Sequence, residues 1–252
     1  MRKIFLAFAG LLISAAAACA VSPADKDTLL VGTESTYPPY EFRDQNNNLV
    51  GFHVDLVNRI GELTGKKIQW VDMGFDALIP SLLTEKIDMI GAGCLMTEAR
   101  RKKVDFTIPY EVSRGAVLTL PENRTAVKSL DDLEGKTVAT QLGSYLESVC
   151  RKHGGIELKS FKKFDDCLRE VLYGRAYACT MGYVAARKYL KAKDFAGRVE
   201  LAFVYDLEGT ENKKGFPIRK GDLKFKQMLD DAITRLDQSG ELKALKQKWD
   251  LL

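Results

Sequence analysis

From Thr28 almost to the last residue, short runs rich in β-branched and apolar side chains alternate with segments of helical period. Strands separated by helices pair mostly in parallel, so this alternation predicts an α/β fold on mainly parallel sheets. Thr28 to Thr33 reads as the first strand. Val54, Val57, Ile60 and Leu63 recur at helical spacing and stop at Thr64-Gly65, where a glycine accepts the left-handed turn that closes a helix. Strand Ile68 to Val71, helix Asp76 to Thr84 and strand Ile87 to Ile90 follow, the last running into the loop Gly91-Ala92-Gly93.

A second set starts after Ala116 to Leu120, which reads as a strand leaving the first lobe. Ser129 and Asp132 have the spacing of a capping box for a short helix closed by Gly135. Strand Thr137 to Thr140 leads to Gly143-Ser144 and a helix through Leu146 and Val149. Ile156 to Phe161, Asp165 to Tyr173, Tyr177 to Met181, Tyr183 to Leu190 and Val199 to Tyr205 continue the alternation. Glu208 to Lys214 reads as a polar connection, and Leu223 to Leu236 and Glu241 to Trp249 as amphipathic helices. Two strand-helix sets predict two lobes, and no internal repeat or low-complexity tract interrupts them.

The first residues read as an export signal: Arg2 and Lys3 precede an apolar run from Ile4 to Ala18, shorter than the roughly 20 residues of a membrane-spanning helix. Cleavage after Ala18-Cys19-Ala20 leaves Val21 as the first mature residue; lipid attachment at Cys19 is the rival reading. Losing Arg2 and Lys3 takes the basic count from 38 to 36 against 34 acidic residues, so the net charge falls from +4 to +2. That balance gives no reason to propose nucleic acid as a partner. Cys94, Cys150, Cys167 and Cys179 match no zinc spacing. They are either small buried thiols or, in an oxidising compartment, disulfide partners, with the later three better placed to pair together.

Within Gly91-Ala92-Gly93-Cys94-Leu95-Met96-Thr97-Glu98-Ala99-Arg100, a strand ends in small residues and Thr97 can cap a helix whose first turn carries Arg100. Free amides at a helix start beside a guanidinium suit a carboxylate. By spacing alone, Arg100 reads more readily as part of a solvated basic face with Arg101, Lys102 and Lys103. Gly143-Ser144 offers a second amide cluster with a hydroxyl, or is an ordinary strand-to-helix turn. Tyr37, Tyr40 and Phe42 stand beyond the first strand, where open α/β sheets place ligands, although such rings are more often core and Phe42 is expected to be so. There is no nucleophile elbow, phosphate loop, dinucleotide fingerprint or zinc-protease motif. His53 and His153 stand outside any catalytic constellation, and no catalytic residue, metal ligand or cofactor is assigned.

Taken in order, several segments resemble the bacterial family 3 extracellular solute-binding proteins, the periplasmic polar amino acid-binding proteins of ABC transporters. They are Tyr37-Pro38-Pro39-Tyr40-Glu41-Phe42, Gly51-Phe52-His53-Val54-Asp55-Leu56, Phe75-Asp76-Ala77-Leu78-Ile79-Pro80-Ser81-Leu82 and Thr97-Glu98-Ala99-Arg100 leading to Val104-Asp105-Phe106-Thr107-Ile108-Pro109-Tyr110. Asp132-Leu133-Glu134-Gly135-Lys136, Gly143-Ser144, Gly174-Arg175 and Lys248-Trp249 extend the likeness, which covers about Thr28 to Trp249.

The resemblance implies a type II periplasmic-binding-protein-like fold, with a ligand cleft between lobes joined by two hinge strands. It places a signal peptide at 1–20, lobe 1 at 25–114 with its completion at 208–252, and lobe 2 at 115–207. The lobes close on a small carboxylate-bearing ligand, an amino acid or related organic acid, for delivery to an ABC transporter permease in the inner membrane. A monomer in the periplasm is expected, without cofactor. The family's carboxylate clamp maps onto Arg100, the backbone at Gly93, Leu95 and Thr97, and the amides near Ser144 and Tyr145. Its stacking aromatics map onto Tyr37 and Phe75, and a polar contact onto Glu34. One departure stands out: relatives that bind α-amino acids usually carry an aspartate where this chain has Gly182. The family's Asp-Ala earlier in that strand is Tyr177-Ala178 here, and His53 stands where the family often has aspartate. Leaving a buried ammonium without an acid costs on the order of several kcal/mol, so either Glu34 or another acid serves, or the ligand has no α-ammonium. A periplasmic enzyme like the cyclohexadienyl dehydratases and a ligand-sensing receptor subunit are the alternatives on this scaffold.

Overall fold

The computed structural model describes residues 21–252, so the export signal, its cleavage site and Cys19 lie outside the described residues. Two five-stranded mixed sheets, each packed against helices, form two lobes. Across the first sheet run Lys67–Asp72, Thr28–Thr33, Met89–Ile90, Pro217–Arg219 and Val104–Phe106. The second has Glu157–Phe161, Thr137–Gln141, Ala178–Gly182, Arg114–Thr119 and Glu200–Asp206. In each, the first three strands are parallel and the fourth is antiparallel to both neighbours.

The chain therefore leaves the first sheet after Val104–Phe106, builds the second, and returns through Pro217–Arg219. Both crossings are extended. Glu111–Val112 and Lys213–Lys214 pair antiparallel as a two-stranded ribbon, with Lys214 opposite Glu111. Sequence periodicity misses this ribbon and the returning strand, because two or three residues are too few to display a period of two. The polar connection expected over Glu208 to Lys214 holds a short 3-10 turn, Gly209–Asn212, followed by the second half of the ribbon.

Most other elements follow from local sequence. Helix Phe52–Thr64 turns Val54, Leu56, Val57 and Ile60 inward and ends at Gly65 with φ 67°. Each such side chain, taken wholly out of water, contributes about 1.5–3 kcal/mol. That face packs on the C-terminal helices Leu223–Gln238 and Glu241–Lys248. The strand expected over Ile87 to Ile90 is shorter, Met89–Ile90. At Ser129 the capping box is half inverted. The Asp132 carboxylate accepts from the Ser129 and Lys128 amides and from the Ser129 hydroxyl, and the segment is a 3-10 turn, Asp131–Leu133. Phe42 is half-buried, edge-on to Trp249, while Tyr40 is the buried ring of its segment.

All four cysteines of the described residues are buried free thiols. Burial raises their pKa, that of Cys150 to about 11, which leaves them poor nucleophiles. No helix of the described residues is long and apolar enough to cross a membrane.

Candidate functional site

The parallel strands of both sheets end at one interlobe cavity, the place where open α/β sheets present ligand contacts. From the first lobe, Glu34 follows Thr28–Thr33, Phe75 opens helix Phe75–Leu83, and Tyr37, Gly93, Leu95 and Arg100 complete that wall. From the second, Gln141 ends Thr137–Gln141, Gly182 ends Ala178–Gly182, and Ser144 and Tyr145 begin helix Tyr145–His153. With the lobes together the cavity is about 40 Å³.

Nine of the ten residues singled out from the sequence thus share one cavity, and Thr97 does not. Thr97 caps the four-residue helix Glu98–Arg101, its hydroxyl accepting from the Arg100 amide at 3.2 Å. Its own amide donates to Leu95 O at 3.0 Å. The amides of Gly93 and Ser144 are also committed. Gly93 N–H donates to Glu41 Oε1 at 3.0 Å and Ser144 N–H to Gln141 O at 3.1 Å. The Ser144 hydroxyl accepts from Glu147 N–H at 3.0 Å as a helix cap.

Arg100 is half-buried and joins the lobes. Its Nη1 donates to Leu95 O at 3.0 Å and its Nη2 to Gly143 O, on the other lobe, at 3.1 Å. The guanidinium lies 5.3 Å from the Phe75 ring centre, within cation–π range. Among the described residues no carboxylate pairs with it, so its charge is left for something else to balance. Further links cross the cleft. Gln141 Nε2 donates to Glu34 Oε2 at 2.9 Å, the Tyr189 hydroxyl to Thr36 O at 2.7 Å, and Tyr37 stacks on Phe164 with ring centres 4.9 Å apart.

Behind the cavity lies a polar cluster that the sequence reading leaves unassigned. Glu41 is buried, with Oε2 2.5 Å from His53 Nδ1, and His53 Nε2 meets the Tyr110 hydroxyl at 3.0 Å. Burial pushes the Glu41 carboxyl well up and the His53 imidazole well down, so the pair shares one proton without net charge. Lys214, 1% exposed, lies over the Tyr40 ring at 3.5 Å and reaches Glu111 Oε2 at 3.4 Å. Burial also lowers its pKa, opposed by Glu111 and Glu41. Glu34 is pushed up to about 7, chiefly by burial, against hydrogen bonds from Thr36 and Gln141.

Glu41, Lys214, Ser113, Arg114 and Gln141 all reach the cavity wall without having been singled out from the sequence. Gln141 had a readable signal, since it stands at the carboxyl end of a parallel strand just before a glycine turn. Lys214 had none, because a lysine in a polar connection reads as solvated.

The family model for bacterial extracellular solute-binding proteins, family 3, matches residues 29–251. The chain is 32% identical over 212 residues to a probable histidine-binding protein of Campylobacter jejuni subsp. jejuni, covering 84% of this chain and 79% of that one. It is 29% identical over 227 residues to the L-cystine-binding protein TcyJ of Escherichia coli (strain K12), covering 89% and 83%. Among solved structures, an ancestral arginine-binding protein bound to arginine superposes with a TM-score of 0.84 at 34% identity, covering 89% of this chain and 98% of that one. At that likeness the neighbour shares the fold of this chain, two mixed sheets in two lobes.

Proposed function

Because the chain belongs to the bacterial extracellular solute-binding proteins, family 3, we propose that it captures a small carboxylate-bearing solute, an amino acid or related organic acid, and presents it to an ABC importer. The observation that carries this reading is the position of Arg100: on the cavity wall, bonded to carbonyls of both lobes, with no carboxylate partner among the described residues. A solute carboxylate completes that guanidinium by a charge-assisted pair, and its binding favours the closed lobes because Arg100 touches both. Phe75 and Tyr37 form apolar walls, and Glu34 is the acid nearest to receive an ammonium, since Gly182 offers none.

The small closed cavity implies that a solute enters by separating the lobes about the ribbon of Glu111–Val112 and Lys213–Lys214. The relatives' ligands, histidine, cystine and arginine by name, support an amino acid or a close analogue. We place the mature protein in the periplasm, delivering to a permease of the inner membrane.

A thermal-shift screen of the purified protein over amino acids, deaminated analogues and small organic acids tests this. A ligand at 100 times its dissociation constant stabilises by roughly 2.7 kcal/mol. A hit that requires both a carboxylate and Arg100 supports the proposal, and hits confined to solutes without a carboxylate refute it. Turnover of prephenate would instead point to the dehydratase alternative, with Glu34 as its acid.

A further inference from the structure

We propose that the hinge end of the cavity is a second anion subsite built on Lys214, so that the solute carries two carboxylates, one held by Arg100 and the other by Lys214. This deepens the solute-binding reading above and rests on it. The first support is position. Lys214 lines the same cavity as Arg100, and the two flank one backbone segment: Arg100 Nη1 is bonded to Leu95 O, while the Lys214 backbone bridges to Leu95. Both cations thus belong to one cavity wall, Arg100 on the carbonyl of Leu95 and Lys214 on the strand bridged to that residue.

The second support is incomplete pairing. A lysine ammonium has three donors, and among the described residues Lys214 has one acceptor, Glu111 Oε2 at the long distance of 3.4 Å. Glu111 is divided, since its other oxygen accepts from the Tyr40 hydroxyl at 2.5 Å. The face of Tyr40 supplies the remaining stabilisation, and the side chain is 2% exposed, so water cannot make up the deficit. A buried cation held this loosely is costly unless another anion completes its shell.

The third support is the charge on the wall. Arg100, Arg114 and Lys214 face Glu34 and Glu41, of which Glu41 is bound to His53 and the Gly93 amide and is kept neutral by burial. Arg114 is drawn off by Asp206 at 2.8 Å. What faces the solute is Arg100 at one end and Lys214 at the other, with Glu34 between the lobes on Gln141. A dicarboxylate matches both ends; a long cationic side chain would meet Lys214.

The test is calorimetric binding of matched pairs differing by carboxylate against amide: L-glutamate with L-glutamine, L-aspartate with L-asparagine, and glutarate with its monoamide. The dicarboxylate member is expected to bind more tightly by about tenfold or more, the worth of one hydrogen bond to a charged group. Lys214→Met, which keeps the buried stem, should erase that preference, and Lys214→Arg should retain it, with circular dichroism confirming that both fold. Should Lys214→Met misfold, the wild-type preference decides. Equal or inverted affinities within every pair, all abolished by Arg100→Ala, overturn the second subsite and leave the solute-binding reading intact. No binding by any dicarboxylate, beside a monocarboxylate hit in the wider screen, overturns the second subsite alone, and the absence of any carboxylate hit in that screen overturns both.

Discussion

The Tyr37 hydroxyl stands where a side chain on Gly182 would begin: a β-carbon there would lie 2.1 Å from Oη and 3.4 Å from Cζ. Tyr37 belongs to the first lobe and Gly182 ends a strand of the second, so the missing side chain is what admits the tyrosine between the closed lobes. The space beside Gly182 is here filled from across the cleft.

Gly182→Ala should therefore weaken closure, because its methyl overlaps Oη while backbone fixes its own place. Tyr37→Phe removes the offending atom and leaves an ordinary 3.4 Å contact, so Gly182→Ala with Tyr37→Phe should recover the compact form. Radii of gyration from small-angle scattering of the two singles and the double check this. Additive effects, with no recovery, would show that the contact does not limit closure. Gly182→Asp should give α-amino acids little benefit or a loss, for the same steric reason.

Arg100→Ala should lower affinity for the carboxylate solute by roughly 2–5 kcal/mol, the range for removing one partner of a buried charge pair. It also deletes the bond to Gly143 O, so closure without ligand should become less favourable. Unchanged calorimetric affinity would remove Arg100 from the site.

Glu34 links closure to pH. Its carboxyl is raised from 4.5 to about 7 by burial, so its contribution to stability is fully present below the unfolded value and is lost as pH rises towards 7. At one pKa unit per 1.36 kcal/mol, the loss is about 3 kcal/mol. Urea unfolding from pH 4.5 to 7.5 should show this slope, and Glu34→Gln should flatten it. Binding should separate by ligand type: an ammonium seated on Glu34 needs the carboxylate, so α-amino acid affinity rises with pH through about 7, whereas a deaminated acid shows the opposite slope.

Glu41→Gln should cost less than about 1 kcal/mol, while Glu41→Ala should cost several. The glutamine keeps an oxygen for the Gly93 amide and offers an N–H to His53 in place of the shared proton. Alanine leaves both polar groups buried without partners, at about 1–3 kcal/mol each. Chemical denaturation at pH 7 measures both. Equal losses would mean that Glu41 is ionised rather than neutral.

Of the fold, whatever has a period was legible in the sequence. Helix Tyr183–Leu190 has the bounds that its apolar spacing predicts, and helix Phe52–Thr64 stops at the glycine that its pattern names. Strands too short to repeat, Glu111–Val112, Lys213–Lys214 and Pro217–Arg219, left no trace, though they join the lobes and complete the first sheet. Of the candidate site, Arg100, Ser144 and Tyr37 were visible because each follows a strand end marked by small residues or prolines. Thr97 shows the limit of that reasoning: it does cap a helix, and the same bond keeps its hydroxyl away from the cavity.

The amino-acid order alone determined the alternation of strands and helices, the strand ends that carry side chains to the cleft, and the family likeness, because these depend on neighbours a few residues apart. Which groups lose water was decided by the tertiary structure. Lys214 and Glu111 are about a hundred residues apart in the chain, and only the antiparallel ribbon sets one against the other beneath two tyrosines. Glu41 and His53 likewise exchange their charges for a shared proton because packing removes the solvent that would otherwise keep each ionised.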